Sequence, residues 1–235
     1  MSIVTPRRIG ILGGMGPQAT VLLMDKLIAA IPAADDSDHI PLIVEQNTQV
    51  PSRIRRLIDG TGDDPEPVLV AMARRLEQAG AEALAMPCNT THHYAGAIAA
   101  SVGIPMLSLV EVSVARALAL SAESDGRVGI IASPAVRLTA LFDAPLRAVG
   151  LTPVYPADEG AVLDAIRRIK ATGVDAQARG AMARASAQLL ADGVEVQMVA
   201  CTELSLILSE CAAGSVAFDT LDALVDAIKA FALKG

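Results

Sequence analysis

Short apolar runs alternate with helical patterns along almost the whole chain, and the alternation is written twice. Apolar runs at 8–13, 40–45, 83–86 and 105–109 are separated by helical patterns at 17–31, 67–78 and 92–101. From residue 128 the plan recurs, with runs at 128–131, 152–155, 196–199 and 216–218. Its helical patterns run on to 149 and then cover 161–171, 176–192, 204–211 and 220–233. Runs that are apolar at consecutive positions suit strands buried on both faces, and helices between such strands are the crossovers of a parallel sheet. The chain is therefore expected to be α/β. The polar loop 47–67 carries a short amphipathic piece at 53–58, and Gly80 is a helix-ending glycine. The turn at 123–126 is either a seam between halves or a plain helix–strand connection.

The repeat can be aligned residue by residue. Ile9-Gly-Ile-Leu-Gly-Gly matches Val128-Gly-Ile-Ile-Ala-Ser, with Thr20 and Thr139 at equal distances beyond. Ala83-Leu-Ala-Met-Pro-Cys88-Asn-Thr matches Val196-Gln-Met-Val-Ala-Cys201-Thr-Glu at nearly the same offset. Any two parallel strands look alike, so the first match alone proves little. Two strands that both end in cysteine followed by a polar residue are harder to dismiss.

Composition excludes several classes of function. With no Trp, two Tyr, three Phe and a net charge of −7, the chain lacks the basic and aromatic surface that nucleic acids require. A charge-free run follows Arg7-Arg8 as in a signal peptide, but Gly13, Gly14, Gly16, Pro17 and Gln18 interrupt it and no small-residue cleavage site follows cleanly. The stretch 83–110 is broken by Pro87, Asn89, His92, His93 and Pro105, so it does not read as a membrane span. Three cysteines do not make a disulfide framework, which favours a reducing compartment, the cytoplasm.

Chemistry concentrates on Cys88 and Cys201. Each follows an apolar strand and precedes a helical pattern, where open α/β sheets bind their ligands. A helix N-terminus there should lower a thiol's pKa towards neutrality and make it a competent base. Two duplicated thiols facing one cleft suit a two-base proton transfer, in which one base takes a proton from one face of a carbon and the other delivers a proton to the opposite face. Asn89, Thr90 and Thr91, with Thr202 and Glu203, offer amides and hydroxyls for a substrate carboxylate. Cys211, expected inside a helix beside Ile207 and Leu208, is assigned to packing.

Other patterns compete. Gly14-x-Gly16-x-x-Ala19 fits a dinucleotide fingerprint, with Asp35, Asp36 and Asp38 near the acidic position, although these precede the second strand rather than end it. That alternative, a non-catalytic nucleotide-binding module, leaves both cysteines unexplained. His92, one helical turn after Cys88, could tune the thiol, act in a Cys–His hydrolase or simply be a satisfied polar group. His39 and His93 are the only other histidines and complete no zinc set. Arg53, Arg55 and Arg56 read by default as a solvated helix face, and Lys170 as a cation at a helix end.

At these residues the chain resembles the aspartate/glutamate racemase family, most closely its aspartate racemase branch. The likeness lies in IGILGGMGPQAT from Ile9, NTQVPSRIRRLIDGTGDDP from Asn47, MPCNTTH from Met86 and ACTELSLIL from Ala200. It implies two pseudo-symmetric domains, each a mostly parallel sheet flanked by helices, with the active site between them. The last helix returns to the first domain, giving residues 1–110 plus 215–235 and residues 111–214. It also implies catalysis by Cys88 and Cys201 without pyridoxal phosphate or metal, in a homodimer. Arg53 and Lys170 take the family's charged substrate-binding positions, and Met15, Gln49, Ser52, Asn89, Thr90, Thr91, Thr202 and Glu203 complete the expected site. Ser52 stands where aspartate racemases tend to have Asp. Ala132-Ser-Pro-Ala-Val136 replaces the family's Ala-Thr-x-Gly-Thr. Both departures bear on which side chain is accepted. The expected reaction is racemisation of aspartate, or glutamate, at Cα. A cysteine-dependent decarboxylase or isomerase of small dicarboxylates is the neighbouring alternative.

Overall fold

A computed structural model describes residues 5–234. The first half runs β1 (Ile9–Gly13), α1 (Pro17–Ala30), β2 (Leu42–Gln46), α2 (Arg53–Leu57), α3 (Glu66–Gln78), β3 (Ala83–Ala85), α4 (Ala95–Ala100) and α5 (Leu109–Leu120). The second half runs β4 (Arg127–Ile131), α6 (Pro134–Leu138), α7 (Asp143–Ala148), β5 (Thr152–Val154), α8 (Glu159–Thr172), α9 (Ala176–Ala191), β6 (Val196–Val199), β7 (Val216–Asp219) and α10 (Thr220–Ala232). Short 3-10 segments at Asp36–Asp38, Thr90–Tyr94 and Leu204–Glu210 punctuate the chain.

Both sheets are parallel, as the doubly apolar runs require. Their orders are β2-β1-β3 and β5-β4-β6-β7. The two sheets correspond strand for strand, because Met106 bridges Leu84 in parallel at the place where β7 lies beside β6. In each sheet the chain order reverses between the first strand and the third, which opens a crevice at their carboxyl ends.

The faces of the sheets explain how the halves join. Ile9, Ile11, Ala83 and Ala85 share one core with Val128, Ile130, Val196 and Met198, filled by Leu109, Phe142, Leu221 and Leu224 from the helices between. The opposite faces have separate cores. Leu12, Leu84 and Met86 pack under α3 and α4, while Ile131 and Val199 pack under α8 and α9. Burial of the inner faces, at about 25 cal/mol per Å² of apolar surface, therefore stabilises both halves together.

The expectations fail in instructive places. Residues 105–109 form one bridge rather than a strand, and Leu109 instead opens α5, which the apolar pattern did not anticipate. Ser108 caps α5 by accepting from the Glu111 N–H at 3.2 Å, so the stretch turns helical. The helix expected up to 149 is two, α6 and α7. They part where Ala140 adopts a left-handed φ of 50° and Thr139 donates back to the Ala135 carbonyl at 2.8 Å. The 204–211 helix is a 3-10 turn kinked at Ile207, and Cys211 follows it, half-buried against the outer core of the second half. Strand β7, expected with the first half, is the edge of the second sheet, and only α10 crosses to pack on α5 and α1. The turn at 123–126 is a short link from α5 to β4. No helix among the described residues is long and apolar enough to cross a membrane.

Candidate active site

The two thiols reach one cavity by the same route. Leu84 and Met86 face the outer core of the first half, and Cys88 follows them on that side; Val199 and Cys201 do the same in the second half. Both thiols line a cavity of about 340 Å³ at the carboxyl ends of the strands. Two hydrogen bonds stitch its walls. Thr202 Oγ1 donates to the Pro87 carbonyl at 3.1 Å, and Asn89 Nδ2 donates to Thr220 Oγ1 at 3.0 Å.

Of the residues expected in the site, Met15, Ser52, Arg53, Asn89, Thr90, Lys170, Thr202 and Glu203 line this cavity with the two cysteines. Two do not. Gln49 is exposed on its loop, where its amide donates to Thr48 Oγ1 at 3.3 Å and its N–H to Asn47 Oδ1 at 2.9 Å. Thr91 lies buried beneath Cys88, its hydroxyl donating to the sulfur at 2.9 Å. Sequence reasoning did not place Gln18, Thr48 and Ile166 in the site, and flagged Ser133 only as part of an altered turn; all four also line the cavity. Two of these had a signal: Ser133 aligns with Gly14 in the repeat, and Ile166 stands one helical turn before Lys170 on α8.

Glycine at position 14 is dictated by local geometry. Its φ is 94°, and a Cβ there would sit 2.4 Å from the Asn47 backbone, where β2 ends. Gly14 and Gly16 thus let the first loop cross close over the cavity, and a Cβ at Gly16 would meet Glu203 at 3.3 Å. The dinucleotide alternative loses its acidic partner. Asp35 and Asp38 are exposed and form a local capping box around the 3-10 turn, away from the end of β2.

Charge is arranged in pairs. Arg53 opens α2 and is not a solvated face residue; it is half-buried, with Nη1 donating to the carbonyls of Pro51 (2.9 Å) and Val50 (3.3 Å), while its buried Nε has no partner. Lys170, in the last turn of α8, ion-pairs with Glu203. Burial alone would lower the Lys170 ammonium, but Glu203 and the neighbouring sulfurs of Cys201 and Cys88 outweigh it and hold its pKa above the ordinary value. The expected lowering of thiol pKa fails at Cys201. Burial first, and then the Glu203 carboxylate, push that thiol well above its usual range, and its S–H donates to Glu203 Oε2 at 3.1 Å. Asn89 is buried with its Oδ1 unpartnered.

His92 is resolved as a strut. Leu109 N–H donates to its Nε2 at 3.2 Å, so Nδ1 carries the proton and donates to the Cys88 carbonyl at 2.9 Å. Burial depresses its pKa to about 4, so it stays neutral at cellular pH.

Fold and cavity together define an α/β protein of two like halves, with one thiol from each lining a single cavity. Residues 12–228 match the Asp/Glu/Hydantoin racemase family, and the chain belongs to that family. Its fold is shared with aspartate racemase from Picrophilus torridus, at 24% identity and a TM-score of 0.82, with 97% of this chain and 96% of that one covered. An aspartate racemase homologue from Pyrococcus horikoshii OT3 is similar at 21% identity and a TM-score of 0.75, covering 97% and 100%. Glutamate racemase from Francisella tularensis, solved with D-glutamate, is similar at 13% identity and a TM-score of 0.69, covering 96% and 80%. A broad specificity amino-acid racemase of Bacillus subtilis is 34% identical over 110 residues, which are 45% of this chain and about half (47%) of that protein's length.

Proposed function

We propose that the chain is an amino-acid racemase acting on an acidic amino acid, aspartate before glutamate, by proton transfer at Cα between Cys88 and Cys201. The observation that carries this reading is the meeting of one cysteine from each half in a cavity that also holds Arg53 and Lys170. One thiolate removes the α-proton while the opposite thiol supplies a proton to the other face. Fixed amides and hydroxyls around Asn89, Thr90 and Thr202 stabilise the enolate-like charge that develops between these steps. Arg53 and Lys170 would take the substrate carboxylates, the distal one competing with Glu203 for Lys170. Likeness to the aspartate racemase of Picrophilus torridus supports the choice of aspartate. A homodimer belongs to the same reading; the exposed Val21 and Ile28 on α1 offer it apolar surface, and light scattering tests it.

Incubated with L-aspartate in deuterated buffer, the protein should yield D-aspartate carrying deuterium at Cα. Cys88→Ala and Cys201→Ala should each reduce enantiomer exchange by about a thousandfold or more, the scale of a lost general acid or base. Normal racemisation by both variants would sink the two-thiol mechanism. A decarboxylated or rearranged product on chiral chromatography would sink the reaction class.

A further inference from the structure

We propose that Glu203 is the receptor for the substrate's α-ammonium group, so that three ionic side chains in the cavity match the three charges of an acidic amino acid. The assignment rests on the acidic amino-acid reading above and names a subsite which that reading leaves open.

Besides the two cysteines, the ionisable side chains lining the cavity among the described residues are Arg53, Lys170 and Glu203, two cations and one anion. Aspartate and glutamate carry the converse set, two carboxylates and one ammonium. Arg53 and Lys170 answer the carboxylates, which leaves one positive group on the ligand and one negative group on the wall. No other carboxylate lines the cavity among the described residues. An amino acid bound without meeting Glu203 would set its ammonium among cations and leave a buried carboxylate without compensation, and an uncompensated buried charge is costly.

Glu203 also has acceptor capacity to spare. Its side chain is 8% exposed, and Lys170 pairs with Oε1, while Oε2 receives the S–H of Cys201 at 3.1 Å. A thiol is a weak donor, whereas an ionised carboxylate offers about four lone-pair sites. An ammonium brings three donors, and a charge-assisted bond is roughly twice as strong as a neutral one, so the S–H contact is the one a ligand displaces at little cost. The place is suitable as well. The ammonium nitrogen is one bond from Cα, and Oε2 lies within hydrogen-bond distance of one of the two sulfurs that must reach that carbon. Gly16 keeps the pair uncrowded from the other half, since a Cβ there would lie 3.3 Å from Glu203 Oε1 and 3.5 Å from Lys170 Nζ. As Lys170 turns to the distal carboxylate of the ligand, Glu203 turns to its ammonium, and every charge keeps an opposite partner.

Calorimetric titration of the free protein at neutral pH with three ligands is the test. An equimolar mixture of D- and L-aspartate is already at racemic equilibrium, so turnover adds no net heat. Succinate and malate keep both carboxylates but carry hydrogen and hydroxyl in place of the ammonium. The parent chain should bind aspartate about tenfold or more tighter than either, the scale of one charge-assisted hydrogen bond. Glu203→Gln keeps the shape of the side chain but removes its charge, and should bring that ratio down to near one; Glu203→Asp should keep part of it. Succinate should bind Glu203→Gln no more weakly than the parent, because Lys170 has lost its competing partner, whereas a general loosening of the cavity would weaken all three ligands alike. Equal affinities for aspartate and succinate in the parent chain, or an unchanged ratio in Glu203→Gln, would overturn the proposal. If aspartate is preferred in this way yet neither enantiomer is racemised, the reaction proposed above falls and this inference stands. If none of the three binds the parent chain, the acidic amino acid falls as the substrate, and this inference falls with it.

Discussion

The connection after β3 and the connection after β6 are two versions of one device, and they differ in wiring rather than in path. In each, the residue four places beyond the cysteine ties the local turn to the start of the next long helix. His92 takes the Leu109 N–H at the head of α5, whereas Ser205 donates to Asp219 Oδ1 at 2.9 Å, and Asp219 caps α10 by accepting from Leu221 N–H at 2.9 Å. Helices α5 and α10 then pack on each other in the shared core. Duplication has preserved where each thiol stands, while the polar side chains around it have been free to diverge. Position is a property of the repeated backbone, and hydrogen bonding is a property of particular residues.

The comparison is broken most severely at its glycines. Gly14 and Ser133 are equivalent in the repeat, yet Gly14→Ala places a Cβ against the Asn47 backbone at a positive φ and should cost about 3 kcal/mol or more. Ser133→Ala loses only a cap bond to the Ala135 N–H of 3.4 Å and should cost about 1 kcal/mol. Thermal melts of the two variants check this, and equal losses would mean that the first loop is not held against β2.

Next come the struts. His92→Phe strands the Cys88 carbonyl and the Leu109 N–H, each buried, and should cost about 2 kcal/mol. Ser205→Ala, with its hydroxyl only partly buried, should cost about 1 kcal/mol. The pH dependence separates the struts further. Burial depresses the imidazole of His92 from 6.5 to about 4, so the unfolded chain binds the proton first. Stability from His92 is complete above pH 6.5 and is lost as pH falls towards about 4. His92→Phe should remove that acid-side slope from the melting temperature.

Asp219 carries the opposite sign. Burial, more than the nearby Asp222, raises its carboxyl from 3.8 to about 6, against the bonds from Leu221 and Ser205 and the charge of Lys26 that favour ionisation. Its contribution is present at low pH and is lost as pH rises through about 6. Asp219→Asn should match the parent chain near pH 4 and gain on it above pH 6. A pH-independent difference would show that Asp219 does not titrate in that window.

Much of this was legible beforehand, because it follows from period and repetition. Consecutive apolar residues placed the strands within a residue or two, and the matched Cys88 and Cys201 motifs placed both thiols in one cavity. What could not be read depends on contacts between distant parts of the chain. The S–H of Cys201 meets Glu203, and the pairing of that carboxylate with Lys170 joins residues 33 apart, so the thiol rises where the helix-start rule alone would lower it. Thr91 is buried against Cys88 and does not line the cavity. Helix α5 is a different case. Its Ser108–Glu111 capping pair is plain in the sequence, but the apolar stretch leading into it reads as strand, and one bridge at Met106 is all the strand that forms.

Thr220 gives the stitched walls of the cavity a further meaning. Its single hydroxyl receives the Asn89 amide, from the residue after one thiol, and donates at 3.2 Å to the Val199 carbonyl, two residues before the other. One oxygen thus gauges the separation of the two strand ends like the pivot of a pair of calipers. Any widening between the halves must break one of its two bonds, so the gap that a Cα must fit is held by the first residue of the last helix.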